Sequence, residues 1–438
     1  MSDAAVERFR ALLRIPTVSR SDLTAQDDAA FERFRATLSE LYPRLHAALE
    51  LEVFDDGSLL YRWPGHGTDQ PSVLMAHHDV VPADEPGWTH EPFAAELVDG
   101  RIRGRGTLDD KGALVALLEA IEQRVTDGFA PAADVYVFSG ANEETFGLGA
   151  SRAVSQLAER GIRPGLVLDE GGAVAADAFP GLDGRVAYIG VAEKGVAGLQ
   201  LSVRKPGGHA STPAANGATT TLARAILRLE RHPAPARLGA PVAAMLRAIA
   251  PRARGAQRRL FSHPERYRAL LTRALAGRGG EGAAMVRTTR AVTRLSGSAA
   301  DNVIAERATA SVNVRIAVGS TVAQAADEIR RAVADDEVHV EVLYGDDPSP
   351  VSPSDGPEWD RLTAAIAEVF PDAVPAPYVM LQASDSRHFA RISDTVYRFL
   401  PFEIPAEDRA TLHAIDESIG VENWLRGIRF FDALIARL

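Results

Sequence analysis

Residues 133–170 read ADVYVFSGANEETFGLGASRAVSQLAERGIRPGLVLDE, and this stretch decides the fold. ADVYVFSG is a short apolar run of strand-forming residues, LGASRAVSQLAERG carries its apolar residues at helical spacing, and GLVLDE returns to the strand pattern. Upstream, PSVLMAHHDVV (71–81) and KGALVALLEAIEQRV (111–125) repeat the alternation of strand and helix. Such alternation predicts an α/β fold, a largely parallel sheet with helices on both faces.

From about Val196 the texture changes. GLQLSVRKPGGHAS (198–211), ATTTLARAILRLERH (218–232), ERATASVNVRIAVG (306–319) and TVAQAADEIRRAVADDEVHVEVLYG (321–345) read as strand, helix, strand, helix and strand, which suits a smaller inserted α+β unit over 196–345. Within it, residues 233–295 form an Arg- and Ala-rich excursion with a helical pattern, more than a two-layer domain needs and placed to cap a site. The Pro-rich DDPSPVSPSDGP (346–357) reads as the linker back. EWDRLTAAIAEVF (358–370) and ENWLRGIRFFDALIARL (422–438) are then amphipathic helices of the first domain, which comprises 1–195 and 346–438. The 438 residues exceed the roughly 250–300 at which a single core stops growing, so two domains are the expectation.

Composition narrows the function. Apolar residues at 46% and charged residues at 24% are those of an ordinary globular protein. A net charge of -11 argues against nucleic acid or an anionic membrane as partner and leaves small molecules or short peptides. With no cysteine, disulfides, thiolate nucleophiles and thiolate-bound metals are excluded, so any metal must sit on His, Asp or Glu. The start lacks an uninterrupted apolar h-region and no stretch reaches the ~18 apolar residues of a membrane span, so a cytoplasmic location is expected.

Four motifs carry candidate chemistry. In SVLMAHHDVVP (72–82) a period of two puts Val73, Met75, His77 and Asp79 on one strand face, with His78 on the other. Asp79 can then accept the second N–H of His77, raising the basicity of the nitrogen that would face a metal. In RIRGRGTLDDKG (101–112), Asp109 and Asp110 open a helix whose dipole helps keep a carboxylate ionised. The glycines there are out of register for a dinucleotide fingerprint. In NEETFGLGA (142–150) the adjacent Glu143 and Glu144 follow a strand, and two like charges in contact are costly unless a cation or proton intervenes. GLVLDEGG (165–172) ends another strand with Asp169 and Glu170. A polar strand end, a helix N-cap or a solvated loop pair would account for one motif alone. Together the strand-end residues fall where open α/β sheets bind ligands, outside the carboxyl ends of the strands.

AHHDVVP, GRGTLDDKG, NEETFGLGA, LDEGG, GGHAST (207–212) and DNVIAERATASVNVR (301–315), in this order, resemble the M20 family of metallopeptidases and aminoacylases over nearly the whole chain. SDSRHF (384–389) and LHAIDESIGVENW (412–424) make it more similar to the carboxypeptidase S branch, which includes N-acyl-amino-acid hydrolases, than to the succinyl-diaminopimelate desuccinylases. The resemblance implies a catalytic domain carrying an inserted lid or dimerisation domain, and two Zn2+ ions per chain. Asp109 would bridge the metals, His77 with Asp169 or Glu170 would serve one, and Glu144 with His413 the other, Glu170 being the favoured acid. Glu143 would be the general base that takes a proton from zinc-activated water and returns it to the leaving amine. Oxygen-rich ligation would also accept Mn2+ or Co2+.

The implied function is cleavage of an amide bond next to a free carboxylate, by an N-acyl-amino-acid hydrolase, carboxypeptidase or dipeptidase. His209 of the lid would help polarise the scissile carbonyl, while Asn302, Arg315 and Arg387 would meet the substrate's carboxylate or acyl oxygen. Because lid histidines of this type commonly act across a subunit boundary, a homodimer is expected, although residues 233–295 could supply the closure within one chain. A noncatalytic metal-binding protein of the same fold is the alternative, and its mark would be loss of the base or a ligand. Two departures from the family are Ala305 in place of proline and Ala76 in place of glycine; neither removes a ligand. His46, His66, His78, His90, His232, His263, His339 and His388 show no ligand pattern.

Overall fold

A computed structural model of the chain describes residues 2–20, 22, 26–145, 147–176 and 181–438. Its largest sheet has eight strands, in the order Glu50–Val53, Leu59–Trp63, Val135–Gly140, Ser72–His77, Leu166–Ala175, Val396–Glu403, Arg185–Glu193 and Ala373–Met380. Pairing is parallel from Val135–Gly140 to Val396–Glu403 and between the last two strands, and antiparallel elsewhere. Every residue of Ser72–His77 and Val135–Gly140 is buried, which is the signature of central strands covered on both faces.

Each face has its own helices. Leu74, Ala76, Val135 and Val137 pack with the helices Lys111–Thr126, Pro357–Val369 and Val421–Ile435. On the opposite face Val73, Met75, Tyr136 and Phe138 meet Ala150, Ala153, Val154 and Leu157 of Gly149–Glu159. Further along that face, Val186, Tyr188, Ala376 and Val379 are covered by Val242, Met245, Leu246 and Ile249 of the helix Ala240–Ile249. Helices Gly255–Ser262, Arg268–Gly277 and Gly280–Val286 follow it. The stretch 233–295 is therefore helical for most of its length, and it packs on the large sheet. Its end is not helical, because Thr289–Ser296 is a strand, and the β-branched Thr288, Thr289, Val292 and Thr293 account for the switch.

That strand is the edge of a second sheet, ordered Thr289–Ser296, Arg307–Ile316, Gly195–Arg204 and His339–Asp346, antiparallel throughout. Burial alternates strictly along Arg307–Ile316, and its inward residues Ala308, Ala310, Val312, Val314 and Ile316 pack with the helices Ala218–Arg231 and Val322–Val333. The chain passes between the sheets at Glu193–Gly195 and again after Asp346. The two crossings touch, since a Cβ on Gly195 would lie 2.6 Å from the Asp346 carbonyl oxygen. A third, three-stranded sheet joins Glu96–Val98, Arg101–Arg103 and Ser418–Gly420, tying the C-terminal segment to the loop that carries Asp109.

Candidate metal centre

His77 ends its strand and is 1% exposed. Its Nδ1 lies 2.9 Å from the Asp79 carbonyl oxygen and 3.4 Å from Asp79 Oδ1. Nε2 therefore faces the site, 3.0 Å from Asp109 Oδ1 and 3.7 Å from Glu170 Oε1. His413, held on a loop with φ 58°, brings its Nε2 to 3.0 Å from Asp109 Oδ2 and 3.1 Å from Glu144 Oε2. Two triads result, His77–Asp109–Glu170 and Asp109–Glu144–His413, and they share Asp109 with one carboxylate oxygen directed to each.

Buried carboxylates hold this arrangement. Asp79 is 0% exposed and its carboxylate accepts the amides of Glu143 and Glu144, each at 3.2 Å, while its backbone carbonyl is the nearer partner of His77 Nδ1, so one residue orients His77 and both glutamates. Asp110 follows Asp109 across a cis peptide and occupies the N-cap position of Lys111–Thr126 without a capping side-chain hydrogen bond; its Oδ2 instead accepts the His77 amide at 3.3 Å. Glu417 accepts from the amides of Leu108 (2.7 Å), Gly106 (3.1 Å) and Asp109 (3.2 Å) and from Arg105 Nη1 (2.8 Å). It fastens the Asp109 loop to the segment that carries His413, a role its sequence position beside His413 does not announce.

The electrostatics fit a site for divalent cations. Burial, and then Asp109, push the carboxyls of Glu170 and Glu144 above their usual range. Glu143 is raised well above its usual value by burial, with Asp385 and Glu144 adding to it against the pull of His77. At Asp109 burial is overcome by the hydrogen bonds to His413 and His77, which hold it low. Those to Asp109 and Glu144 in turn push the His413 imidazole up to about 10. Burial pulls His77 down, but its bonds to Asp109 and Asp79 win and its proton is held well above the usual range. Glu144 Oε1 is buried with no hydrogen-bond partner among the described residues. Imidazole nitrogens and carboxylate oxygens so placed suit Zn2+, Mn2+ or Co2+.

Asp169 stands apart from both triads. Its Oδ2 accepts the Ser386 amide at 2.8 Å, in the loop that Glu193 holds by accepting from Ser384 N (3.1 Å) and Ser386 Oγ (3.1 Å). Glu193 is itself paired with the buried Arg398 at 2.6 Å. Asp385, between those serines, is raised to about 8 by burial and by Asp169. His78 is structural, stacked on Phe34 with ring centroids 5.0 Å apart and bonded to Ser139 Oγ at 2.8 Å.

A cavity of about 580 Å³ opens onto the centre, lined by Asp109, Glu143, Glu144, Glu170 and His413, and by the apolar wall of Tyr188, Met245, Met285, Tyr378, Met380 and Leu400. Met245 and Met285 come from the helices of the 233–295 stretch, a contribution that no motif signalled. Ala383 also borders a smaller cavity of about 270 Å³ at the crossing between the sheets, lined by Arg387, Lys194 and Tyr344. Arg315 lies nearby, with burial drawing its pKa down and Tyr344 opposing. His209 and Asn302 sit elsewhere. They share an exposed hairpin, the strand pair Gly208–His209 and Val303–Ile304 with its flanks, in which the Ala210 amide donates to the Asn302 carbonyl at 3.0 Å, and neither lines these cavities.

Residues 73–437 match the model of peptidase family M20/M25/M40. Human N-fatty-acyl-amino acid synthase/hydrolase PM20D1 is 34% identical over 439 residues, covering 99% of this chain and 87% of that protein. A probable carboxypeptidase S-like 2 of Dictyostelium discoideum is 32% identical, over 98% of this chain and 84% of the other. Among solved structures, the di-peptidase Dug1p from Saccharomyces cerevisiae superposes with TM-score 0.70 at 16% identity, covering 99% and 95% of the two chains, a likeness of fold.

Proposed function

The chain belongs to peptidase family M20/M25/M40, a family of metal-dependent hydrolases, and from that premise we propose that it is a two-zinc hydrolase of N-acyl amino acids bearing long apolar acyl groups. The observation that carries the reading is the split of Asp109, whose two oxygens each stand 3.0 Å from a different histidine Nε2. His77 and Glu170 would complete one metal site, and Glu144 and His413 the other. Bound divalent ions would supply the charge that keeps these carboxylates ionised, polarise the scissile carbonyl and lower the pKa of the attacking water toward ~7.

The remaining steps fall to the chain. Glu143 lines the cavity without belonging to a triad, and burial raises its affinity for a proton, which suits a general base that must later act as an acid. It would take the water's proton and deliver it to the leaving nitrogen. The substrate's free carboxylate would turn toward Arg387 and Arg315 at the crossing, and the acyl chain would lie along Tyr188, Met245 and Tyr378. The name of the human relative supports the fatty-acyl half of this reading. His209 and Asn302 are exposed and line neither cavity, so we place them in the site of a partner subunit, which makes a homodimer the working form.

The test is metal content and turnover of the protein and its Glu143→Gln variant on N-dodecanoyl amino acids, N-acetyl amino acids and dipeptides. Near two zinc per chain is expected, with metal retained and turnover reduced by about 10²–10⁴ in the variant. Metal-free protein, or activity that survives the substitution, would sink the mechanism. A preference for dipeptides would sink the acyl assignment alone.

A further inference from the structure

A second cavity, larger than the one beside the two triads, lies away from them. A cleft of about 1410 Å³ lies where the helices Ala240–Ile249 and Arg268–Gly277 face the helix Val322–Val333, and no member of either triad lines it, nor does Glu143. Arg237, Arg268, Arg273, Arg287, Arg331 and Lys194 line it, against only Asp327 and Glu328. Asp327 is already engaged by Arg330 at 2.7 Å. Arg237, Arg273 and Arg287 make no side-chain hydrogen bond or ion pair with any described residue, and Arg287 Nε is buried without a partner.

In a chain of net charge -11, unpaired arginines gathered in one concavity mark a place for an anion. The lining between them is apolar, formed by Leu238, Val242, Val286, Val318 and Val379. Arg237 and Arg273 are exposed and Arg287 is half-buried, so a neutral lipid would leave three cations at the rim without a counter-charge and the buried Arg287 Nε unmatched, while a simple polyanion would leave the apolar wall in water. Only a ligand with both halves satisfies the cleft. We propose that it is a second, noncatalytic site for a single-chain anionic amphiphile, whose carboxylate or phosphate head is clasped by Arg237, Arg273 and Arg287 and whose alkyl chain covers the apolar wall. The volume exceeds the roughly 300–1,000 Å³ of ordinary small-molecule pockets, as a long flexible chain requires. Met285 lines both this cleft and the catalytic cavity, so an occupant would border the acyl wall without reaching the metals.

The experiment titrates metal-loaded protein calorimetrically with dodecanoate and with dodecyl phosphate, each below its micellar concentration, using dodecanol and pyrophosphate as competitors. Arg237→Ala/Arg273→Ala should weaken one class of binding at least about tenfold, since charged hydrogen bonds to the head group are lost. Turnover of a short N-acetyl amino acid should stay unchanged. The paired Arg→Lys variant should recover much of the binding, which separates charge from misfolding, and the stronger of the two heads identifies the oxyanion. Undiminished binding in the double alanine variant would overturn the site. So would displacement by pyrophosphate as effective as by dodecanoate, or binding abolished by Met245→Trp, which fills the catalytic cavity instead.

Discussion

Replacing Glu417 by alanine should damage both the fold and the metal centre, and the magnitude can be worked from its partners. The carboxylate is 0% exposed and accepts from three backbone amides and from Arg105 Nη1 at 2.8 Å. Arg105 is 1% exposed, its Nε and Nη2 have no hydrogen-bond partner among the described residues, and the Trp88 ring lies 5.2 Å away. Removing Glu417 strands a buried cation, which costs roughly 3–5 kcal/mol. The orphaned amides of Gly106, Leu108 and Asp109 would add about 1–3 kcal/mol each if the hole stays dry, and less if water enters, so the ion pair sets the floor at about 3 kcal/mol. Because the amide of Asp109 is one of the three, the loss also loosens the residue the two triads share, and zinc affinity should fall about 10–100-fold. Urea unfolding of the metal-free protein measures the first effect and zinc competition against a chelator the second. An unfolding midpoint and a zinc affinity both equal to those of the parent would refute the claim that this carboxylate binds the two halves of the centre together.

Three further expectations follow from the same geometry. Met245→Trp should lower kcat/KM for dodecanoyl relative to acetyl substrates by at least about tenfold, because several methylenes lose their place in the apolar wall; an unchanged ratio in direct competition would remove that wall from the acyl site. The metal-free protein holds His413 up to about 10, so the stabilisation from its bonds to Asp109 and Glu144 is full below about 6.5 and lost as the pH rises through about 10. Zinc must displace that proton at neutral pH, so calorimetric heats should depend on the buffer's ionisation enthalpy, and uptake without proton release would contradict the reading. His209→Ala should fold normally yet turn over slowly, and mixing it with Glu143→Gln subunits should restore activity if the histidine serves the neighbouring subunit; no rescue would confine it to its own chain.

Much of the fold is legible because burial is periodic. Ser72–His77 and Val135–Gly140 read as apolar runs since both faces are covered, and Arg307–Ile316 reads by alternation since one is. His77, Asp109, Glu143, Glu144 and His413 stand in motifs that a family resemblance can carry. What escaped reading depends on contacts distant in sequence. Glu417 reaches amides some 310 residues earlier, and Met245 and Met285 reach the cavity beside the two triads from a stretch whose pattern shows only that it is helical. The tail of that stretch was misleading because its arginines repeat at helix-like intervals while its β-branched residues favour a strand.

Asp169 and Glu170 show how local pattern can point to the wrong side chain. Val73 pairs with Val167 in parallel register, so a strict period of two would put Asp169 on the face that carries Met75 and His77, and Glu170 on the opposite one. That pairing stops at Leu74 and Leu168. On its other side the strand stays in register through Asp169 opposite Arg398 and resumes with Gly172 opposite Phe399, leaving Glu170 and Gly171 as an extra pair. Gly171 has φ 139°, a conformation open to glycine, and a Cβ there would lie 2.5 Å from Met380 Sδ. The irregularity turns Glu170 toward His77 Nε2 while Asp169 stays with the Ser386 amide. The glycines that follow the acidic pair in LDEGG are thus what selects between its two carboxylates, and they do so through backbone conformation rather than through alternation.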